Sequence, residues 1–390
     1  MSFERLAQSL NQKHQAGYLR QRRTVEYEKD AIICVEGQHY LNFASNDYLG
    51  MRQQPEVLQA WVEGLAAYGG GSGASPLVTG YSQAHQALET YLAERLNREA
   101  VLLFNSGFSA NQAVCQALFS EPGLILADKL MHASFLDGAM ACEAQLRRFR
   151  HNDMSHLASL LAGIQNADCL VASEGIFSMD GDAAPVESLV ALCEQQQAWL
   201  MLDDAHGFGV LGENGLGSAE HYGLSQQQVP VLMGTFGKAI GTAGAFVAGS
   251  RELIEYLVNH ARHYIYSTAL PPAQAVATLA SLRLIASGSE RQQLQANIAH
   301  FRSLANQAGL LLTDSQSAIQ PVIVGDPHKA LALSNGLKER GIWVAAIRYP
   351  TVPKHTDRLR ITLSAQHSER DIQALVDGLI LAREALPQCN

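Results

Sequence analysis

Four short strings carry residue types able to do chemistry, and each stands at or just after an apolar run. Asp203 opens Asp203-Asp204-Ala205-His206-Gly207, directly after Leu200-Met201-Leu202. A carboxylate at the end of a buried run needs a cationic partner. A protonated pyridine nitrogen would supply one, and His206, three residues on, can touch the same ligand. Lys238 lies in Gly234-Thr235-Phe236-Gly237-Lys238, after Val231-Leu232-Met233. A lysine in a glycine-bounded turn can lose its proton through desolvation and form a Schiff base. Thr235 could donate to a phosphate. Asn105-Ser106-Gly107-Phe108-Ser109-Ala110-Asn111 joins an apolar run to a helical stretch. Small residues at a helix N-terminus leave N–H groups and a dipole for an anion. His132 follows the run 124–127 by a few residues and could stack on an aromatic ring. Lysine, carboxylate, phosphate cradle and stacking ring together describe a pyridoxal-phosphate site.

The elements that must position these residues alternate. Apolar runs with strand character cover 101–104, 124–127, 169–172, 199–202, 231–233 and 245–248. Helical stretches cover 83–97, 111–119, 133–142 and 186–195. Such alternation predicts an α/β fold with a mostly parallel sheet covered on both faces, whose ligands bind outside the carboxyl ends of the strands. Before it, residues 1–23 read as a helix, followed by short strands at 31–35 and 39–43 around the turn Glu36-Gly37. After residue 271 long helical stretches at 272–287 and 291–308 precede strands at 319–324, 343–346 and 359–362 and helices at 331–340 and 369–384, a smaller α+β C-terminal domain. The expected divisions are 1–45 for an N-terminal helix and hairpin segment, 46–270 for a large domain and 271–390 for a small one, with the N-terminal segment packing on the last.

Gly207-Phe208-Gly209-Val210-Leu211-Gly212 matches the dinucleotide fingerprint by letter. The residues after it, Glu213-Asn214-Gly215-Leu216-Gly217, cannot open a helix, and Leu232 stands where an acidic residue is needed. This excludes a nicotinamide dinucleotide site. A net charge of −9 argues against nucleic acid as a partner. No run of 18 apolar residues predicts a membrane span. The six cysteines lack CxxC spacing and no Cys/His cluster has zinc spacing, so the expectation is a cytoplasmic protein with reduced thiols and no metal.

Longer strings carry a family resemblance over nearly the whole chain: Asn46-Asp47-Tyr48-Leu49-Gly50, Ser106-Gly107-Phe108, Glu174-Gly175-Ile176-Phe177-Ser178-Met179-Asp180-Gly181-Asp182, the Asp203 and Lys238 strings, and Tyr266-Ser267-Thr268 before Pro271-Pro272. The chain resembles the α-oxoamine synthases, fold-type I pyridoxal-phosphate transferases. The resemblance implies that Lys238 carries the cofactor as a Schiff base, Asp203 pairs with the pyridinium nitrogen, His206 reaches the ring 3-hydroxyl and His132 stacks on the ring and meets substrate. Ser178 and Thr235 would bind cofactor, with Gly107 and Phe108 on the phosphate side. Thr268 would reach the phosphate of a neighbouring subunit, which implies a homodimer. Asn46 would contact substrate. Arg20, in Leu19-Arg20-Gln21-Arg22-Arg23, would receive the far carboxylate of a pimeloyl chain, and Arg348 the carboxylate of the amino acid, with Thr351 also on substrate. The implied reaction is the decarboxylative condensation of L-alanine with pimeloyl-CoA, or a pimeloyl-carrier protein, in biotin biosynthesis. Glycine C-acetyltransferase and the family's other reactions stay open as alternatives, as does a non-catalytic pyridoxal-phosphate binder. Gln21 within the arginine run, Phe208, Ala239 and the modest glycine content of residues 71–75 depart from the family pattern and touch substrate fit more than chemistry.

Overall fold

The apolar runs of the central segment become strands of one seven-stranded sheet in the computed structural model, which describes residues 3–164 and 167–386. The order across this sheet is Ala100–Phe104, Ala245–Gly249, Val231–Thr235, Trp199–Asp203, Cys169–Glu174, Leu124–Asp128 and Gln145–Phe149. The last five are mutually parallel, while Ala245–Gly249 runs antiparallel to both its neighbours. Strands buried on both faces carry unbroken apolar sequence, as Leu200, Met201 and Leu202 do at 0 % exposure. Helices Gly107–Leu118 and Ala133–Met140 pack over this sheet through Val114, Phe135 and Ala139 against Ile125, Met201 and Val247.

The chain divides into two compact units. The sheet belongs to residues 49–178 and 183–291, and the second unit comprises 1–48, 179–182 and 292–390. The division after Arg291 falls later than residue 270 because helix Pro272–Ile285 packs on helix Pro55–Tyr68. A Cβ on Gly64 would lie 2.6 Å from Ala273 Cα, so this close helix contact requires glycine.

In the second unit, Ile319–Ile323, Arg358–Thr362 and Ala345–Ile347 form an antiparallel sheet. Strand Gln38–Asn42 pairs in parallel with Ile342–Trp343 in this unit. The turn Glu36-Gly37 holds both residues at positive φ, 54° and 72°, as a two-residue hairpin loop requires. His367 ties this unit together. Its ring stacks on Phe43 at 4.1 Å, Nδ1 accepts from the Ser364 N–H at 2.9 Å, and Nε2 lies 3.0 Å from the Asn42 carbonyl. The initial helix is shorter than expected, Arg5–Gln15, and a strand Val25–Lys29 precedes the hairpin. Cys389 lies outside the described residues.

Candidate active site

Three neighbouring parallel strands end together. Glu174 closes Cys169–Glu174, Asp203 closes Trp199–Asp203 and lies opposite Glu174 in register, and Thr235 closes Val231–Thr235. All three are buried. The Asp203 carboxylate accepts from Asn111 Nδ2 at 2.8 Å and from the Ala205 N–H at 3.1 Å. Both donors are uncharged, so the buried anion is oriented but not neutralised by them. Glu174 accepts from the Ser178 N–H at 3.2 Å. Burial, and the Asp203 charge beside it, push the Glu174 carboxyl well above the usual carboxylate range, while the Lys238 charge and the Ser178 N–H oppose this.

Lys238 occupies the loop between Val231–Thr235 and Ala245–Gly249. Buried Phe236, Ala239 and Ile240 anchor that loop. The Thr235 hydroxyl donates to the Gly244 carbonyl at 2.9 Å and accepts from the Gly237 N–H at 3.4 Å. Lys238 Nζ lies 2.8 Å from His206 Nε2.

The turn carrying His206 is held from below by Asp204, whose carboxylate accepts from the Ser218 N–H and the Ser218 hydroxyl, each at 2.6 Å. Burial first, and the neighbouring Asp203 charge, push Asp204 up to about 7. Gly217, at φ +93°, lets its backbone pass so close that a Cβ would lie 1.9 Å from Asp204 Oδ2. Residues 207–212 form turns, and the next helix, Ser218–His221, is four residues long.

Ser106 caps helix Gly107–Leu118. Its hydroxyl accepts from the Ser109 N–H at 3.1 Å and its own N–H donates to Ser109 Oγ at 3.2 Å. The amides of Gly107 and Phe108 are therefore the first-turn donors left for an anion. Thr268 is exposed, and its carbonyl accepts from Asn105 Nδ2 at 2.7 Å, two residues before Gly107. His132 caps helix Ala133–Met140. Its Nδ1 lies 2.8 Å from Ser134 Oγ and accepts from the Ser134 N–H at 3.3 Å. One side of the ring is open to solvent. Packing lowers its pKa, with the Asp203 charge acting in the opposite sense.

These groups fit pyridoxal phosphate. A buried carboxylate held only by neutral donors suits a pyridinium N–H, the open His132 ring suits stacking, the free helix amides suit a phosphate, and the lysine suits an aldehyde. Among the described residues no three His, Cys, Asp or Glu side chains gather as a metal site.

In the second unit Arg20 Nη2 donates to Thr351 Oγ1 at 2.9 Å, and the Arg348 guanidinium donates to the Gly17 carbonyl. Burial, and next to it the Arg20 charge, lower the Arg348 pKa, while Asp357 opposes this. Asn46 Oδ1 accepts from Arg360 Nη1 at 3.1 Å, and Arg360 also donates to Thr362 Oγ1 at 2.9 Å. Arg360, 6 % exposed, was not singled out from sequence, nor were Glu174, Ser134 or Asp204 for a role of their own. Asn46, whose partner it is, was the signal that could have found Arg360.

The family model for aminotransferases of class I and II matches residues 38–379. The chain belongs to that family. Within it, the chain is 49 % identical over 376 residues to the 8-amino-7-oxononanoate synthase of Thioalkalivibrio sulfidiphilus, covering 96 % of each. It is 50 % identical to the enzyme of the same name from Cellvibrio japonicus, covering 96 % of this chain and 94 % of that one. Among solved structures, a serine palmitoyltransferase from S. paucimobilis with bound pyridoxal phosphate–myriocin aldimine superposes with a TM-score of 0.93 at 28 % identity, covering 98 % of each chain. An 8-amino-7-oxononanoate synthase from Francisella tularensis superposes at 0.78 with 32 % identity, covering 88 % of this chain and 98 % of that one. The α-oxoamine synthase resemblance and the fold-type I architecture are thus borne out, and the family's cofactor is pyridoxal phosphate.

Proposed function

We propose that this enzyme condenses L-alanine with pimeloyl-CoA, or another pimeloyl thioester, releasing CO2 and the thiol and forming 8-amino-7-oxononanoate for biotin biosynthesis. The observation that carries the reading is near-full-length identity of about half to relatives of that name; Lys238 in one unit and the Arg20–Thr351 pair in the other supply the residue types it needs. When bound, pyridoxal phosphate supplies an electron sink for the pair left on the amino acid α-carbon.

The chain's own residues do the rest. Lys238 Nζ anchors the cofactor and, once released, takes the α-proton, with His206 Nε2 beside it to share the proton. Asp203 holds a proton on the ring nitrogen, and Asn111 and the Ala205 N–H keep its carboxylate aimed. His132 covers the ring and meets substrate. Ser178, Thr235 and the Gly107 and Phe108 amides hold the cofactor's periphery, with His206 at the 3-hydroxyl. Arg348 and Arg360, the latter with Asn46, receive the amino acid carboxylate. Arg20 and Thr351 receive the far carboxylate of the acyl chain, a partner that acetyl and palmitoyl chains lack.

Thr268 serves the phosphate of a second subunit in a homodimer. Exposed Leu58, Val62 and Leu65 form a stripe at helical spacing on Pro55–Tyr68, and Val78 and Tyr266 are more than 70 % exposed, which supports a covered apolar face. The substrates are small molecules, and no helix among the described residues is long and apolar enough to cross a membrane. Incubating the enzyme with L-alanine and pimeloyl-CoA tests the reading. Equal amounts of free thiol, CO2 and an amino ketone of the expected mass support it, and thiol release without the amino ketone refutes it.

A further inference from the structure

We infer that Asn111 and Ser134 are positioning residues that hold His132 as its neutral Nε2–H tautomer, with the carboxylate of Asp203 setting the direction of every bond between them. The inference deepens the reading of His132 as the group over the cofactor ring and rests on it for its purpose, though not for its geometry.

The chain of contacts starts at the buried anion. Asn111 is 1 % exposed, and one end of its side-chain amide lies 2.8 Å from Asp203 Oδ2. A carboxylate oxygen only accepts, so the atom facing it is the NH2 group; the reverse orientation would put two acceptors at that distance. The second hydrogen of the same NH2 points to Ser134 Oγ, 2.9 Å away. Having accepted there, the Ser134 hydroxyl has one hydrogen of its own to place. His132 Nδ1 lies 2.8 Å from it. Ser134 is fully buried, so water does not compete.

The backbone supplies a second donor. The Ser134 backbone N–H also points at His132 Nδ1, at 3.3 Å, as the cap of helix Ala133–Met140. An N–H needs an acceptor, and a protonated Nδ1 would face it with a hydrogen. Nδ1 therefore accepts from both Ser134 donors, and the ring's proton sits on Nε2.

The consequence concerns where positive charge rests. A cationic imidazole over the cofactor ring would raise the cost of a protonated pyridine nitrogen beneath it. Two donors on Nδ1 disfavour that cation, while the same Asn111 amide fixes the carboxylate that holds the pyridinium proton. One asparagine thus bonds both the carboxylate that would hold the ring nitrogen's proton and the serine that orients His132.

The experiment uses 15N-histidine-labelled holoenzyme and long-range proton–nitrogen correlation, with the His132 signals identified by their loss in His132→Asn. The expected result is a pyridine-type Nδ1 and a pyrrole-type Nε2. A protonated Nδ1, or two equivalent protonated nitrogens, overturns the proposal without any further variant. Ser134→Ala is expected to move both nitrogens toward the average of the two tautomers, and Ser134→Thr to restore the separation. Unchanged tautomer signals in a folded Ser134→Ala enzyme would mean that Ser134 is only packing. If the tautomer stands but the His132 signals do not move when cofactor is removed, the wiring is supported and only the ring-covering reading fails.

Discussion

The guanidinium of Arg20 donates from Nη2 to the Thr351 hydroxyl over 2.9 Å, joining two side chains 331 positions apart. A threonine hydroxyl cannot neutralise a guanidinium, so Arg20 keeps donors for an anion. Arg20→Ala is expected to raise KM for pimeloyl-CoA about tenfold, through loss of one charge-assisted contact. It should leave KM for an uncharged acyl-CoA of similar length nearly unchanged. Steady-state kinetics with both thioesters check this, and equal changes would make Arg20 a surface charge.

Lys238→Ala should remove the visible Schiff-base absorbance and all turnover while the far-ultraviolet circular dichroism stays the same. Lys238 is only half-buried, and its loop is anchored by Phe236, Ala239 and Ile240, so little packing is lost. Retained absorbance would assign the Schiff base to another lysine.

Asp203→Asn should retain cofactor but lower kcat by several orders of magnitude, each factor of ten being about 1.4 kcal/mol of barrier. An amide cannot hold the ring nitrogen protonated, yet it can still bond Asn111. Stopped-flow absorbance after mixing with L-alanine would separate a slow proton abstraction from weak binding. Turnover within tenfold of wild type would reduce Asp203 to a structural carboxylate.

His367 sets a pH dependence of stability. Burial lowers its pKa from 6.5 to about 4, outweighing the Asn42 carbonyl bond. The unfolded chain therefore binds this proton at a higher pH than the folded one. Its stabilising contribution is present above about pH 6.5 and is lost as pH falls toward 4, by roughly 3 kcal/mol at most. His367→Asn should be less stable than wild type at pH 7, and that deficit should shrink by pH 4.5. Urea unfolding at the two values checks the sign; a constant deficit contradicts it.

The sheet was legible because parallel strands are continuous apolar runs, and Leu200-Met201-Leu202 can hardly be anything else. Gln145–Phe149 was not, since an edge strand carrying Arg147 and Arg148 lacks that signature. Helix Pro55–Tyr68 was missed because its exposed face carries Leu58, Val62 and Leu65, which blurs the polar stripe. In the site, Lys238, Asp203 and His206 stood out because glycine-bounded turns set them apart. Asn111 and Ser134 did not, because their meaning comes from a contact across 92 positions to Asp203 and one across 23 positions between them. Glu174 becomes Asp203's neighbour only through strand register.

The most direct test of the assigned reaction is coenzyme A release from wild-type enzyme across a panel of amino acids and acyl thioesters. L-alanine with pimeloyl-CoA is expected to give the highest kcat/KM, at least about a hundredfold above glycine with acetyl-CoA or L-serine with palmitoyl-CoA, since only the pimeloyl chain offers Arg20 a carboxylate. Equal or faster release with glycine and acetyl-CoA would contradict it.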